Sequence, residues 1–561
     1  MYSASITSEV RNHKGLPALF INGEHVPGAA YITYITPKNC YRDFSEAGYR
    51  LFSMPIFFAT RGINAFSGIP AFAEGIFENR KPDFSILDRE VRRILDACPN
   101  AMIFPRVNMS LPQWWDEENP EELSDFSVNN GPRRTCFASD KWAEETKRML
   151  KMTIEHISNA DYVDHICGYQ LSGGNTEEWF SFDGKGSDGK RSQEKFRGLV
   201  AAGVLDDTRS AYLQFLSQVV ADRICEFAAY AKELTDRKLI IGSFYGYTLD
   251  CVEPHRCHCA MKTVLNCPDI DFLCSPLCYE DGRPAGRDHA SHLAVDSLKL
   301  HGKLYFSEND TRTDLAGPPF DLPYYQASVW TGPPLPISTQ IMKMHFSRAL
   351  CHGHAFWWFD MWGGWYARPE YMDIAHRAKE ILLESMDKPM QSTAKIAVFV
   401  DEAAYCRIPE GNPVAHNVCF KVRQALGKTG IPYDIYLASD FEAVCERYKA
   451  YIFLVPLETE TVVSAIDYAS AAKVPFLVIN ELNYRITTNE LRKFYASAGL
   501  IPWDNFDTVV FENESYLFLH ACQAGVHHVP GIYRDTFTGE TVENEIALHQ
   551  FQSILLEKLS S

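Results

Sequence analysis

Two acidic clusters in this sequence have the residue types and setting to do chemistry on a sugar bond. In KLYFSENDTRT, Lys303 to Thr313, an apolar run stops at Glu308 and Asp310. Lys303 to Phe306 reads as a short buried strand, and Ser307 to Asp310 place carboxylates and amides where it must end. In GYQLSGGNTEEW, Glu177 and Glu178 follow a second such run, His165 to Leu171. Cleavage of a glycosidic bond by double displacement needs one carboxylate to attack and a second carboxyl to protonate the leaving oxygen, with the two about 5–5.5 Å apart. An acid after a strand earns that role on the C-terminal rim of a parallel barrel. Elsewhere it is a solvated turn, and an Asp310–Arg312 pair there would be weak.

A barrel is what the rest of the first 390 residues predicts. Ala18 to Tyr34, with turns at Asn22-Gly23 and Pro27-Gly28, is a hairpin-like lead into a first strand at Ala29 to Tyr34. Leu51 to Phe58, Ala101 to Met109, His165 to Leu171, Leu239 to Tyr245, Ile270 to Ser275, Lys303 to Phe306 and Ala355 to Met361 supply seven more. Between them lie helical patterns, including the run PDFSILDREVRRILDACPNA, Trp142 to Ile157, Thr208 to Leu234 and Ile337 to Cys351. Eight strands alternating with helices predict a (β/α)8 TIM barrel. Glu177 and Glu178 then end the fourth strand and Glu308 the seventh, which face one another across the mouth.

After residue 390 the pattern restarts. Apolar strands begin near Lys395, Tyr433, Ala450 and Pro475 with helices between, which predicts a doubly wound, flavodoxin-like α/β domain over 391–503. No GxGxxG follows its first strand, so no dinucleotide site is expected. Residues 504–561 read as a small antiparallel β domain with strands at VVFEN, SYLFLHA, GIYRDTFTG and TVENEIAL, the turn falling at Thr538-Gly539.

Composition narrows the function. With 54 Lys+Arg against 72 Asp+Glu and no basic run, a nucleic-acid partner is not expected. No stretch of about 20 apolar residues is long enough to span a bilayer, and the N-terminus lacks the apolar core of a signal peptide, so the expectation is a cytoplasmic protein with no membrane partner. Its 16 cysteines are then mostly reduced and buried. CVEPHRCHC, Cys251 to Cys259, crowds thiols and imidazoles into one loop, but it has no CxxC pair or second half-site, and neither a metal nor any other cofactor is expected. Asn108, Asn175, Tyr245, Asp310 and Arg312 are candidates for bonding sugar hydroxyls, and Trp358 for a stacking wall.

DFSILD, PRVNMSLPQWWDEENPEE, GYQLSGGNTEEW and the barrel followed by a doubly wound and a small β domain resemble the clan of (β/α)8-barrel retaining glycoside hydrolases, and within it the family 42 β-galactosidases. The resemblance implies Glu308 as nucleophile, with Arg106 beneath it and Tyr279 beside it as orienting groups. It implies an acid/base after the fourth strand: Glu178, which an aromatic residue follows as in the relatives, with Glu177 as the alternative. That clan places Asn directly before its acid/base, whereas Thr176 separates Asn175 from Glu177 here. Further implications are exo-acting release of terminal β-D-galactosyl residues from an oligosaccharide or glycoside, and a homotrimer. A β-mannosidase of the same three-domain plan and a non-catalytic sugar-binding barrel are the two other readings.

Overall fold

The computed structural model describes residues 2–60, 74–124, 134–174, 177–181, 189–249, 254–279, 283–317, 331–409, 412–503 and 506–559. The largest sheet carries the parallel strands β1 (Ala29–Thr33), β2 (Leu51–Phe52 and Pro55–Phe57), β3 (Met102–Ile103 and Arg106–Asn108), β4 (Gly168–Ser172), β5 (Ile240–Phe244), β6 (Phe272–Pro276), β7 (Leu304–Asn309) and β8 (Ala355–Asp360). Each pairs in parallel with the next, and β8 returns to β1 with Trp358 opposite Tyr31. β2 and β3 each break once, at Ser53-Met54 and at Phe104-Pro105, where Pro105 has no N–H to give the ladder. The breaks lie side by side: Leu51 pairs with Met102 below them and Pro55 with Arg106 above, so the ring closes as the expected (β/α)8 barrel.

Barrel strands are buried on both faces, so side-chain direction follows from alternation rather than from hydrophobicity. In β7, Leu304, Phe306 and Glu308 point into the barrel. Phe306 stacks on Trp357 with ring centres 5.0 Å apart and meets Phe104 and Phe272 at 5.4 and 5.1 Å. Tyr305 points out to the helix layer, its hydroxyl 2.9 Å from that of Ser275. Two glycines make room for packing between the strands, one of them for this stack. A Cβ on Gly242 would lie 2.2 Å from the Phe272 ring, and one on Gly168 2.4 Å from the Ile240 side chain.

Residues 391–503 contain a four-stranded parallel sheet in which Ile396–Val400 lies between Asp434–Leu437 and Ala450–Leu454, with Phe476–Ile479 at the edge, the strand order of a doubly wound fold. Its Arg423 donates to the carbonyls of Ser291 (2.7 Å) and Leu249 (2.5 Å), tying this unit to the barrel loops. The C-terminal sheet is antiparallel and has five strands rather than four. Ser553–Lys558 enters between Tyr516–Ala521 and Gly525–Asp535, a pairing that local pattern does not signal. The lead-in is also longer than expected: Ser8–His13, a mostly polar strand, pairs with Leu16–Ile21 ahead of the Asn22-Gly23 turn. No helix among the described residues is long and apolar enough to cross a membrane.

Because the Phe272 ring fills the space above Gly242, Gly242→Leu should overpack the barrel and cost about 1–3 kcal/mol. Gly198→Ala, in open space within helix Lys190–Ala201, should gain about 0.5–1 kcal/mol. Urea denaturation midpoints of the two variants against the parent check both signs.

Candidate active site

One layer above the aromatic stack, β3 sends Arg106 into the barrel with no exposed surface. A bare guanidinium there would be prohibitively costly, and groups from strands around the barrel offset it. Nη2 donates to Glu308 Oε2 from β7 at 2.6 Å, Nε to Gln170 Oε1 from β4 at 3.0 Å, and Nη1 to the Tyr34 hydroxyl just past β1 at 2.8 Å. Its cationic carbon also lies 4.6 to 5.6 Å from the ring centres of Phe244, Trp357, Phe359 and Tyr34.

Glu308 is the acid of this layer. Trp357, directly opposite it on β8, donates its indole N–H to Glu308 Oε2 at 3.0 Å. Both bonds fall on Oε2, and Oε1 accepts none from the described residues. Burial pushes the Glu308 carboxyl above its usual range, while Arg106 and the two hydrogen bonds pull it back toward the ionised form.

The two glutamates after β4 separate sharply. Glu177 is wholly buried in the left-handed backbone region, φ +70°, with Trp179 at +60°. Its Oε2 accepts from the Tyr34 hydroxyl and lies 3.8 Å from Arg106 Nη1, so one guanidinium holds Glu308 at one end and Glu177 at the other. Burial pushes Glu177 up to about 7, against the pull of Arg106 and Tyr34. Glu178 has a different partner: it is half-buried, and its Oε1 accepts from the Tyr247 hydroxyl at 3.1 Å. Tyr247, two residues beyond Tyr245 in the loop after β5, had no signal in the sequence beyond being aromatic near a strand end.

Among the other expected residues, Asn108 lies inside the barrel beside Arg106, buried, its Oδ1 accepting from Ser110 N at 3.0 Å. Tyr279 makes no hydrogen bond to Glu308; its ring lies 4.6 Å from the Arg283 guanidinium carbon and 5.4 Å from that of Arg312. Asp310 is buried in an ion pair with Arg283, and Arg312 Nη2 lies 3.8 Å from it. Two aromatic expectations meet strand alternation. Trp358 follows the lumen-facing Trp357 and so faces the helix layer, donating to the Tyr49 hydroxyl at 2.8 Å. Tyr245 is likewise out of phase with Phe244, its hydroxyl lying 2.9 and 2.8 Å from the carbonyls of Ser217 and Cys257, which share its one proton. Asn175 lies outside the described residues, as does Cys251. Among the described residues, metal-type ligands converge at Asp296, His352 and Asp434, but Lys299 Nζ stands 2.5 Å from Asp296 Oδ1, so an ammonium already serves that carboxylate.

The raised Glu177 has a consequence for stability. An acid whose folded value lies above its unfolded one gives full stability below about pH 4.5 and loses it as pH rises through about 7. Glu177→Gln abolishes that loss. The stability of the parent relative to Glu177→Gln should therefore fall by roughly 3 kcal/mol between pH 4.5 and pH 8, measured by urea denaturation of both proteins across that range.

Neither a family model nor a curated relative matches this sequence. Solved structures do. A β-galactosidase from Bacillus circulans sp. alkalophilus superposes with a TM-score of 0.62 at 12% identity, covering 95% of this chain and 98% of its own. A catalytic mutant of a GH42 β-galactosidase from G. stearothermophilus gives 0.64 at 11% identity over 100% of both chains. A GH42 exo-carrageenase from Bacteroides ovatus gives 0.56 at 11%, covering 99% of this chain and 84% of its own. From the N-terminal hairpin to the last β-strand, this chain has the three-part (β/α)8-barrel fold of the family 42 glycoside hydrolases.

Proposed function

We propose that the protein is a retaining exo-β-glycosidase that releases terminal β-D-galactosyl residues by double displacement. The observation that carries this reading is Glu308: a buried carboxylate at the C-terminal end of β7, held through one oxygen by Arg106 and Trp357 with the other oxygen left over for attack. In the first step Glu308 Oε1 bonds to the anomeric carbon as the glycosidic C–O bond breaks, and Glu178 gives its proton to the departing oxygen. In the second, Glu178 takes a proton from water, whose oxygen replaces Glu308 on the sugar.

Glu178 fits the proton-transfer role better than Glu177 because it keeps access to the solvent side and has a hydroxyl partner in Tyr247. Glu177 is enclosed on Tyr34 and Arg106. Its value near 7 leaves it substantially protonated at neutral pH, so that the charge of Arg106 is committed to Glu308. The galactosyl preference follows the activity of the β-galactosidases that share the fold.

Nitrophenyl β-galactoside should be cleaved, and faster than the corresponding mannoside or glucoside. Glu308→Gln should abolish turnover, azide should restore it in Glu308→Gly with the product inverted, and Glu178→Gln should lose roughly 10²- to 10⁴-fold on substrates with poor leaving groups. A parent protein that cleaves no glycoside overturns the reading.

The indole bond makes a separate prediction. Trp357→Phe removes one hydrogen bond to a charged group and should lower kcat/KM about 10- to 100-fold. Trp358→Phe, on the other face of the same strand, should leave kcat/KM within about threefold while lowering the thermal midpoint, its cost being lost packing and one hydrogen bond in the helix layer. Steady-state kinetics and melting curves on the pair separate the two faces.

A further inference from the structure

The cysteine- and histidine-rich loop plays no part in the chemistry above, yet its His258 lies against Glu178 and against Tyr247, which bonds to the Glu178 carboxyl. The imidazole has no exposed surface and is enclosed by the rings of Tyr245, Tyr247 and Phe180, with centres 4.7, 4.8 and 4.8 Å away. Nδ1 accepts the backbone N–H of Tyr247 at 3.2 Å, and Nε2 lies 2.8 Å from the backbone carbonyl of Glu178. Accepting at Nδ1 puts the proton on Nε2, so the ring donates to Glu178 as it receives from Tyr247. Burial favours the neutral ring this needs, pushing His258 down to about 3.

These bonds close a ring. His258 links the backbones of the two loops, and Tyr247 links them again through its hydroxyl on Glu178 Oε1. The backbone on both sides is one that side chains disfavour: φ is +70° at Glu177, +60° at Trp179 and +66° at Cys257. A segment bent that way keeps its shape only where its surroundings impose it. Gly173 bonds this backbone at Glu177 and Trp179, and between them His258 holds the Glu178 carbonyl.

We infer that His258 is a positioning residue for proton transfer, a neutral bracket between the loops after β4 and β5 that holds Glu178 and Tyr247 at the spacing the acid/base step uses. The inference rests on Glu178 as proton donor. His258 bonds to the backbone of Glu178 and Tyr247 and not to a carboxyl oxygen, so its effect passes through Glu178.

The test uses leaving groups, because a dinitrophenolate departs without a proton and an alkoxide does not. His258→Phe keeps the ring packing and removes both hydrogen bonds. Its kcat/KM should fall roughly 10- to 100-fold on an alkyl β-glycoside and less than about threefold on the dinitrophenyl glycoside of the same sugar. Equal losses on the two substrates, or no loss on either, overturn the inference. His258→Gln, which keeps one amide N–H for the Glu178 carbonyl, carries the same test should His258→Phe not fold. Glu178→Gln is run beside them: if it shows the leaving-group dependence and the His258 variants do not, the inference fails alone. If it shows none, the assignment of Glu178 fails and the inference falls with it.

Discussion

A guanidinium with no access to water sits at the centre of this barrel, and much of the structure is organised by the need to compensate it. Arg106 draws partners from β1, β4, β7 and β8, so its environment exists only when the ring of strands has closed. Removing one partner of a buried ion pair typically costs about 3–5 kcal/mol, because the other charge is left uncompensated. Folding and chemistry are therefore coupled at Glu308, which is at once the candidate nucleophile and the principal counter-ion of the barrel interior. Substituting it with a neutral isostere leaves a charge that the aromatic faces around Arg106 only partly offset.

Around that cation the electrostatics come down to two carboxyls. If both Glu308 and Glu177 were ionised, Arg106 would be shared between them in a medium that screens repulsion poorly. Desolvation resolves the conflict by raising Glu177 to about 7, where it holds a proton for much of the time, while Glu308 keeps the shorter contact of 2.6 Å and a second donor in Trp357. Two acids facing one arginine are thus made unequal by their other neighbours. The third acid, Glu178, next in sequence to Glu177, bonds to the Tyr247 hydroxyl instead of to Tyr34 and Arg106.

The order of strands and the position of Glu308 at a strand end were legible because an apolar run ending in SEND is a local signal, and eight such runs at barrel spacing are a strong one. Which side of a strand a residue faces was not. Barrel strands are apolar on both faces, so AFWWFD carries no mark that turns Trp357 inward and Trp358 outward, and nothing in IIGSFYGY separates the outward Tyr245 from Tyr247. Only register against the neighbouring strand decides this. The same limit explains the C-terminal sheet, where Ser553–Lys558 completes a hydrogen-bond ladder with Tyr516–Ala521 and only part of Gly525–Asp535, partners chosen by the closed sheet rather than by adjacent sequence. Charge coupling through Arg106 was legible as an expectation for Glu308, but that a second glutamate shares the guanidinium depends on a backbone twist that residue types do not announce.

The aromatic floor beneath Arg106 ties packing to reactivity. Phe104, Phe272, Phe306 and Trp357 fill the barrel under the charged layer, and they fit there because Gly242 gives up its side chain to the Phe272 ring. Rings below and beside the guanidinium exclude water, which lowers the local dielectric and strengthens the Arg106–Glu308 attraction and the upward push on Glu177 alike. The floor thus sets how strongly each carboxyl feels the cation. A substitution there that admitted even one water would be felt as a change in which glutamate holds a proton, well before it was felt as a change in fold.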